Sequence, residues 1–197
     1  MTAQRRFDAR DLARIAIFAA LIVVLGTVSV PLAGGVPITG QTLGVMLAGT
    51  VLGARRAPWA ILLVLGLAAA GLPVLAGGRG GLGVFVGPTV GYMIGWIVGV
   101  VVIGVIAHSG LARQDGRPVW WRVALGAVVG GIAVVYLVGV PVQAMLLGTP
   151  LGATALSSLV FLPGDLLKAA LATALTLALA RAYPPAFARS AAPAEAR

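Results

Sequence analysis

Two ionisable side chains stand inside the apolar body of this 197-residue chain, three positions apart: Asp165 and Lys168, in Pro163-Gly164-Asp165-Leu166-Leu167-Lys168. A charge at the centre of a membrane helix costs about 2.5–3.5 kcal/mol on insertion scales, so such groups face a cavity or a partner. A carboxylate and an ammonium at i and i+3 share one helical face, which aims an acceptor and a donor at the same spot. The chemistry this offers is capture of a small hydrogen-bonding solute. The plainer reading is an Asp165 that caps the helix dipole, with Lys168 as its local partner.

Further polar groups belong to the same side of the chain. From Lys168 to Arg181 is 13 residues, about 20 Å of helix at 1.5 Å per residue, so Lys168 lies far from the basic end of its span and Asp165 about a turn beyond it. Arg79 sits in Ala76-Gly77-Gly78-Arg79-Gly80-Gly81-Leu82-Gly83, followed by Gly87-Pro88-Thr89. Five glycines in seven residues offer backbone N–H groups and close approach, with Gly78 and Gly81 flanking Arg79. Such loops also serve simply as connectors. Pro37-Ile38-Thr39-Gly40-Gln41-Thr42 adds an amide and two hydroxyls, and Tyr92 lies about one turn into the following apolar run. Gln41 alone would be an ordinary hydrogen bond within a bundle. Asp165, Lys168, Arg79, Gln41, Thr42 and the glycine loop together suit a small anionic solute arriving from outside.

The inventory excludes other chemistries. There is no cysteine, so disulfides, thiol catalysis and cysteine metal sites are absent, and we expect no metal or cofactor. His108 is the sole histidine, at the end of an apolar run, and leaves no acid–base constellation for an enzyme. A Walker A loop needs Gly-Lys-Ser/Thr, and the one lysine follows Leu167. Energy for uphill transport must come from another subunit or an ion. The net charge of +9 does not signal nucleic acid, because the basic residues fall at junctions between apolar runs.

The elements that position these groups follow from composition. The chain is 60% hydrophobic and 10% charged, against about 25% charged in a soluble domain. It reads as an all-α polytopic membrane protein. Runs of 40, 22, 33 and 42 residues lack an acidic or basic charge (between Arg14 and Arg55, Arg56 and Arg79, Arg79 and Arg113, Arg122 and Asp165). A span needs about 20 apolar residues. Broken at prolines and glycines, the runs predict six transmembrane helices: Ala13–Val30, Ile38–Leu52, Pro58–Leu72, Pro88–Ala107, Val123–Val140 and Pro163–Ala182. Pro141 ends the fifth, Pro163 opens the sixth, and Leu151–Leu162 is too short to cross and is expected to be re-entrant or interfacial. Residues 1–182 form one membrane domain. The tail 183–197 is expected to be a disordered cytoplasmic segment. With the N-terminus inside, twelve of the fourteen basic residues are cytoplasmic, which places both termini there. The first span is kept as a span despite its basic, signal-like start, because it exceeds a signal h-region. It carries small residues at helical spacing, Ala9 with Ala13 and Ala16 with Ala20, a face for close packing inside the bundle or against a second membrane subunit.

Three segments are recognisable. Pro37-Ile38-Thr39-Gly40-Gln41-Thr42-Leu43-Gly44-Val45 resembles the PITxQTLGV segment of the BioY family. Gly71-Leu72-Pro73-Val74 through Gly83 and Gly87-Pro88-Thr89-Val90-Gly91-Tyr92 are similar to its GLPVFAGGxGGLGxxxGPTGGY signature, and Pro163–Lys168 to its PGDxxK ending. The resemblance runs from about Ala13 to Ala180. It implies a six-helix biotin-capturing S component of an energy-coupling-factor (ECF) transporter in the bacterial cytoplasmic membrane. By that resemblance the subunit would dock through alanines of the first span (Ala13, Ala16, Ala20) onto a transmembrane coupling subunit with two ABC-type ATPases, or, as in some members, act without them. The PGDxxK contacts with biotin carry over to Asp165 and Lys168. Val90 stands where that signature has glycine, and the middle position of GGxGG varies, so a contact at Arg79 comes from this chain's chemistry alone. Biotin brings two ureido N–H donors, a ureido oxygen, an apolar bicycle and a carboxylate. Asp165 would accept from the ureido, Lys168 would donate to the ureido oxygen or the carboxylate, Arg79 would neutralise the carboxylate, and Trp96 or Tyr92 would cover the ring. The alternatives are an S component for another vitamin and an ion-coupled secondary transporter, which favours inverted repeats not evident in the sequence.

Overall fold

The computed structural model describes residues 7–31, 35–109, 117–184 and 187. The architecture is helical, with one two-stranded hairpin. Helix α1 spans Ala9–Gly26, and its N-terminus is capped by Asp8, whose Oδ1 accepts from the Asp11 amide at 2.7 Å. The first span was expected to run to Val30. It ends at Gly26, because Ser29–Val30 (β1) pairs antiparallel with Ile38–Thr39 (β2).

Helix α2, Gln41–Ala69, joins two of the expected spans without a loop. It is broken at Gly53, whose φ of 76° and ψ of 173° leave the helical region. Glycine alone tolerates that φ without strain, and a Cβ there would also meet the His108 ring at 3.1 Å. The break folds the chain back. A straight 29-residue helix would part its ends by about 43 Å, yet the Gln41 side chain bonds the backbone of Val74 and Ala76, just past the far end. His108 Nε2 meets the Thr50 carbonyl at 2.8 Å beside the break, where the helical ladder is interrupted.

Helix α3, Val90–His108, packs at very short range. Gly91, Gly95 and Gly99 recur every four residues, and a Cβ on any of them would strike the facing chain, at 3.0 Å from Gly139 O, at 3.0 Å from Val135 Cα, and against Gly130 O, respectively. This is the small-residue packing of membrane helices. The facing chain comprises α4, Trp120–Val128, a π-helical turn over Val129–Val134, and α5, Val135–Leu147. The fifth span was expected to stop at Pro141. It continues to Leu147, since a membrane helix tolerates an internal proline whose freed carbonyl finds other partners, and it ends at left-handed Gly148.

The segment expected to be re-entrant or interfacial is helical. Helix α6, Leu151–Ser158, passes through one 3-10 turn, Leu159–Phe161, into α7, Leu162–Ala182. Among the described residues, four helical stretches are long and apolar enough to cross a membrane: Gln41–Ala69, Val90–His108, Trp120–Leu147 and Leu151–Ala182. Of the expected tail, Phe187 is buried against His108, ring centroids 6.4 Å apart, and residues 185–186 and 188–197 lie outside the described residues.

Candidate functional site

One end of the bundle holds a cavity lined by β2, the start of α2, the loop after α2, the start of α3, the π turn, the start of α5 and the start of α7. Its empty space, counted out to the solvent mouth, is about 660 Å³.

Asp165 is the centre of its polar wall. It is 4% exposed, in the first turn of α7, where the helix N-terminus favours an anion. Lys168 Nζ lies 2.9 Å from Asp165 Oδ1, as the i,i+3 spacing requires, and donates also to Thr42 Oγ1 at 2.9 Å. Thr42 Oγ1 in turn lies 3.4 Å from Asp165 Oδ1. On the other oxygen, the Tyr136 hydroxyl donates to Asp165 Oδ2 at 2.7 Å. Three helices thus converge on one carboxylate. The sequence reading paired Asp165 with Lys168 and placed Thr42 nearby; it missed Tyr136.

Arg79 and Gln41 reach the same cavity by different means. Gln41 is 1% exposed, and its amide is spent on the loop after α2: Oε1 accepts from the Ala76 amide at 3.1 Å and Nε2 donates to the Val74 carbonyl at 3.3 Å. It therefore holds the loop against α2. Arg79 is fixed at the base of that loop, its backbone paired with Leu75 in both directions at 3.0 and 3.2 Å. Its Nε donates to the Ala76 carbonyl at 3.1 Å.

Gly78 and Gly81 do not line the cavity. The Gly78 amide donates to Leu75 O at 3.0 Å within the turn and the Gly81 amide to Ala68 O of α2 at 2.7 Å, so both are already bonded within the protein. Their φ values of 70° and 83° explain why glycine stands there. Tyr92 lines the cavity with its ring, set edge-on to Tyr136 at 6.3 Å between centroids. Its hydroxyl donates to Gln143 Oε1 at 2.8 Å and lies 3.2 Å from Ser158 Oγ. Gln143 and Ser158 are a second buried polar cluster that the sequence reading passed over. Leu75, Met93, Trp96, Val135 and Phe161 supply apolar lining. The site can therefore hold a solute with a polar group at the α7 carboxylate and an apolar body. Among the described residues no cluster of three or more His, Cys, Asp or Glu could hold a metal.

The first-span alanines lie elsewhere. Ala13, Ala16 and Ala20 are exposed, and the inward face of α1 is made by Ile15, Ala19, Ile22 and Gly26. Apart from Arg79 and Lys168, basic residues lie away from the cavity: Arg56 Nε pairs with Asp11 Oδ1 at 2.8 Å beside the α2 break. Arg117 and Arg181 share a cleft between the start of α4 and the end of α7.

Residues 1–185 match the sequence model described as the BioY family. The protein named "Biotin transporter BioY" from Rhizobium etli is 45% identical over 179 residues, 89% of this chain and 95% of that one. Its namesake from Rhodobacter capsulatus is 54% identical over 132 residues, 66% of this chain and 67% of that one. The fold matches a crystal structure of the S-component for biotin from an ECF-type ABC transporter, with a TM-score of 0.81, 31% identity, and coverage of 91% of this chain and 96% of that chain. The chain belongs to the BioY family.

Proposed function

We propose that this chain captures biotin from the outer side of a bacterial cytoplasmic membrane, as the S component of an ECF-type ABC transporter. The observation that carries the reading is the buried Asp165, held by Lys168, Thr42 and Tyr136 in the wall of a partly apolar cavity, in a chain whose named relatives are biotin transporters. The cluster offers an acceptor to the ureido N–H groups and a donor to the ureido oxygen. Met93, Trp96 and Phe161 suit the bicycle and the methylene chain. Tyr92 closes the pocket, Gln41 holds the loop, and Gly78 and Gly81 shape its turns.

The crossing count in this reading is six, in one membrane domain, 1–182, with both termini cytoplasmic. Folding back at Gly53 makes the two arms of α2 separate crossings, joined to α1, α3, α4–α5 and α6–α7. Arg10, Arg14, Arg55, Arg56, Arg117, Arg122 and Arg181 then face the cytoplasm, and the cavity faces out, in accord with the positive-inside rule. Exposed Trp120 and Trp121 sit at the start of α4, at the level of an interfacial aromatic belt. The chain works as a transport component and not as an enzyme. Ala13, Ala16 and Ala20, outward-facing on α1, would dock the coupling subunit that carries the two ATPases. Growth of a biotin-auxotrophic, uptake-deficient bacterium on trace biotin tests the function. Co-expression of this chain with energising subunits should restore growth, and Asp165→Asn should not. No rescue by the wild-type chain, expressed in the membrane, would count against the proposal.

A further inference from the structure

The charged groups in the cavity wall do not balance. Among the described lining residues they are Arg79, Asp165 and Lys168, two cations and one anion. Lys168 and Asp165 are in contact at 2.9 Å and cancel. Asp165 already accepts on both oxygens, from Thr42, Lys168 and Tyr136, which leaves about one of its four lone-pair sites, on Oδ2, for a neutral N–H donor. A second carboxylate brought to that cluster would meet an existing anion in a low-dielectric wall, where like charges repel strongly.

Arg79 is differently placed. Its guanidinium is always charged, and among the described residues its side chain bonds through Nε, to the Ala76 carbonyl at 3.1 Å. The two terminal nitrogens form the fork that matches a carboxylate bidentately, and no acidic side chain pairs with Arg79 among the described residues. Backbone pairing with Leu75 and the Gln41 tether hold the loop, so little ordering is required on binding.

We infer that Arg79 pairs with the ligand's carboxylate, while the uncharged ureido end occupies the Asp165–Lys168 cluster. This assignment rests on the biotin reading and deepens it: the site selects a ligand that is anionic at one end and neutral at the other. Lys168 is thereby a ureido-side group, and Arg79 determines specificity for the free acid.

The test compares biotin with biotinamide, whose primary amide replaces the carboxylate, by calorimetric titration of the purified full-length chain. Wild type should prefer biotin by about 10–100-fold, the range for hydrogen bonds to a charged group. Arg79→Gln should lose that preference to within about threefold, by weakening biotin alone, and Arg79→Lys should keep part of it. Retained biotinamide affinity is the internal check that the variant is folded. An unchanged preference in Arg79→Gln, or none in wild type, would overturn the assignment. Loss of both ligands from Arg79→Gln would overturn it too, by making Arg79 a support of the loop. A wild-type chain that binds neither ligand would instead refute the biotin reading itself.

Discussion

Replacing Lys168 by Met keeps the length and the apolar stem of the side chain and removes only its charge and its donors. Asp165, 4% exposed, then loses the cation in contact with it, and Thr42 Oγ1 loses the donor at 2.9 Å. Removing one member of a buried pair costs about 3–5 kcal/mol, because the other charge stays buried and unpaired. Here Thr42 and Tyr136 still donate to the carboxylate, and the Lys168 side chain is 15% exposed. The low end applies, about 3 kcal/mol. For a chain of this size that lowers Tm by about 6–12 °C, measured by intrinsic tryptophan fluorescence on detergent-purified protein without ligand. Adding Asp165→Asn removes the stranded charge, so the double variant should recover to within about 1 kcal/mol of wild type. Biotin binding should be lost in both. A Lys168→Met variant that melts like wild type would refute the account of Asp165 as a charge held by this lysine. Recovery of binding along with stability in the double variant would show that the pair only supports the fold.

Three further outcomes follow from the geometry. Tyr136→Phe removes the hydroxyl on Asp165 Oδ2 and should weaken biotin binding about tenfold by titration, with the ring packing on Tyr92 intact; wild-type affinity would show that this hydroxyl plays no part. Gly53→Ala places a Cβ at φ 76° against His108 and should destabilise the protein by about 1–3 kcal/mol in thermal unfolding; no loss would mean that the bend tolerates a side chain. Ala16→Trp and Ala20→Trp should abolish ATP-driven uptake in the reconstituted complex with binding unchanged, since both positions are exposed; normal uptake would remove the docking role from this face.

Topology rests on a separate measurement. Single cysteines at Leu82, which is 73% exposed, and at Gly152, where a Cβ meets nothing, should react with an impermeant thiol reagent added to intact cells. One at Arg117 should react only after lysis. The reverse pattern would invert the assignment.

The fold was legible where charge or turn chemistry marks a boundary. Arg55 and Arg56 mark the place where α2 breaks, although the structure makes the break with one glycine, Gly53, and no loop. Asp165 and Lys168 declare themselves because charge inside an apolar run has few explanations. Tyr136 and Gln143 were missed for a physical reason. They lie seven residues apart, two turns of one helix, and so share a face. Reading Pro141 as a stop left Gln143 outside the helix and hid the stripe. Pro141 is accommodated, and the polar face continues to the Tyr92–Gln143 bond. The glycine loop misled in the opposite sense. Its amides looked free, but those of Gly78 and Gly81 are used on Leu75 and on Ala68 at the end of α2. The Gly91-Gly95-Gly99 face of α3 was also readable, at a strict spacing of four, and it carries closer packing than the alanines of α1.

The central claim is that the Asp165 cavity binds biotin and not another vitamin. Isothermal titration of the purified full-length chain with biotin, thiamine and riboflavin, alongside Asp165→Asn, tests it most directly. The account predicts saturable one-to-one binding of biotin, no heat from the other two, and marked weakening in the variant. Binding of thiamine or riboflavin in place of biotin, or wild-type biotin affinity in Asp165→Asn, would contradict it.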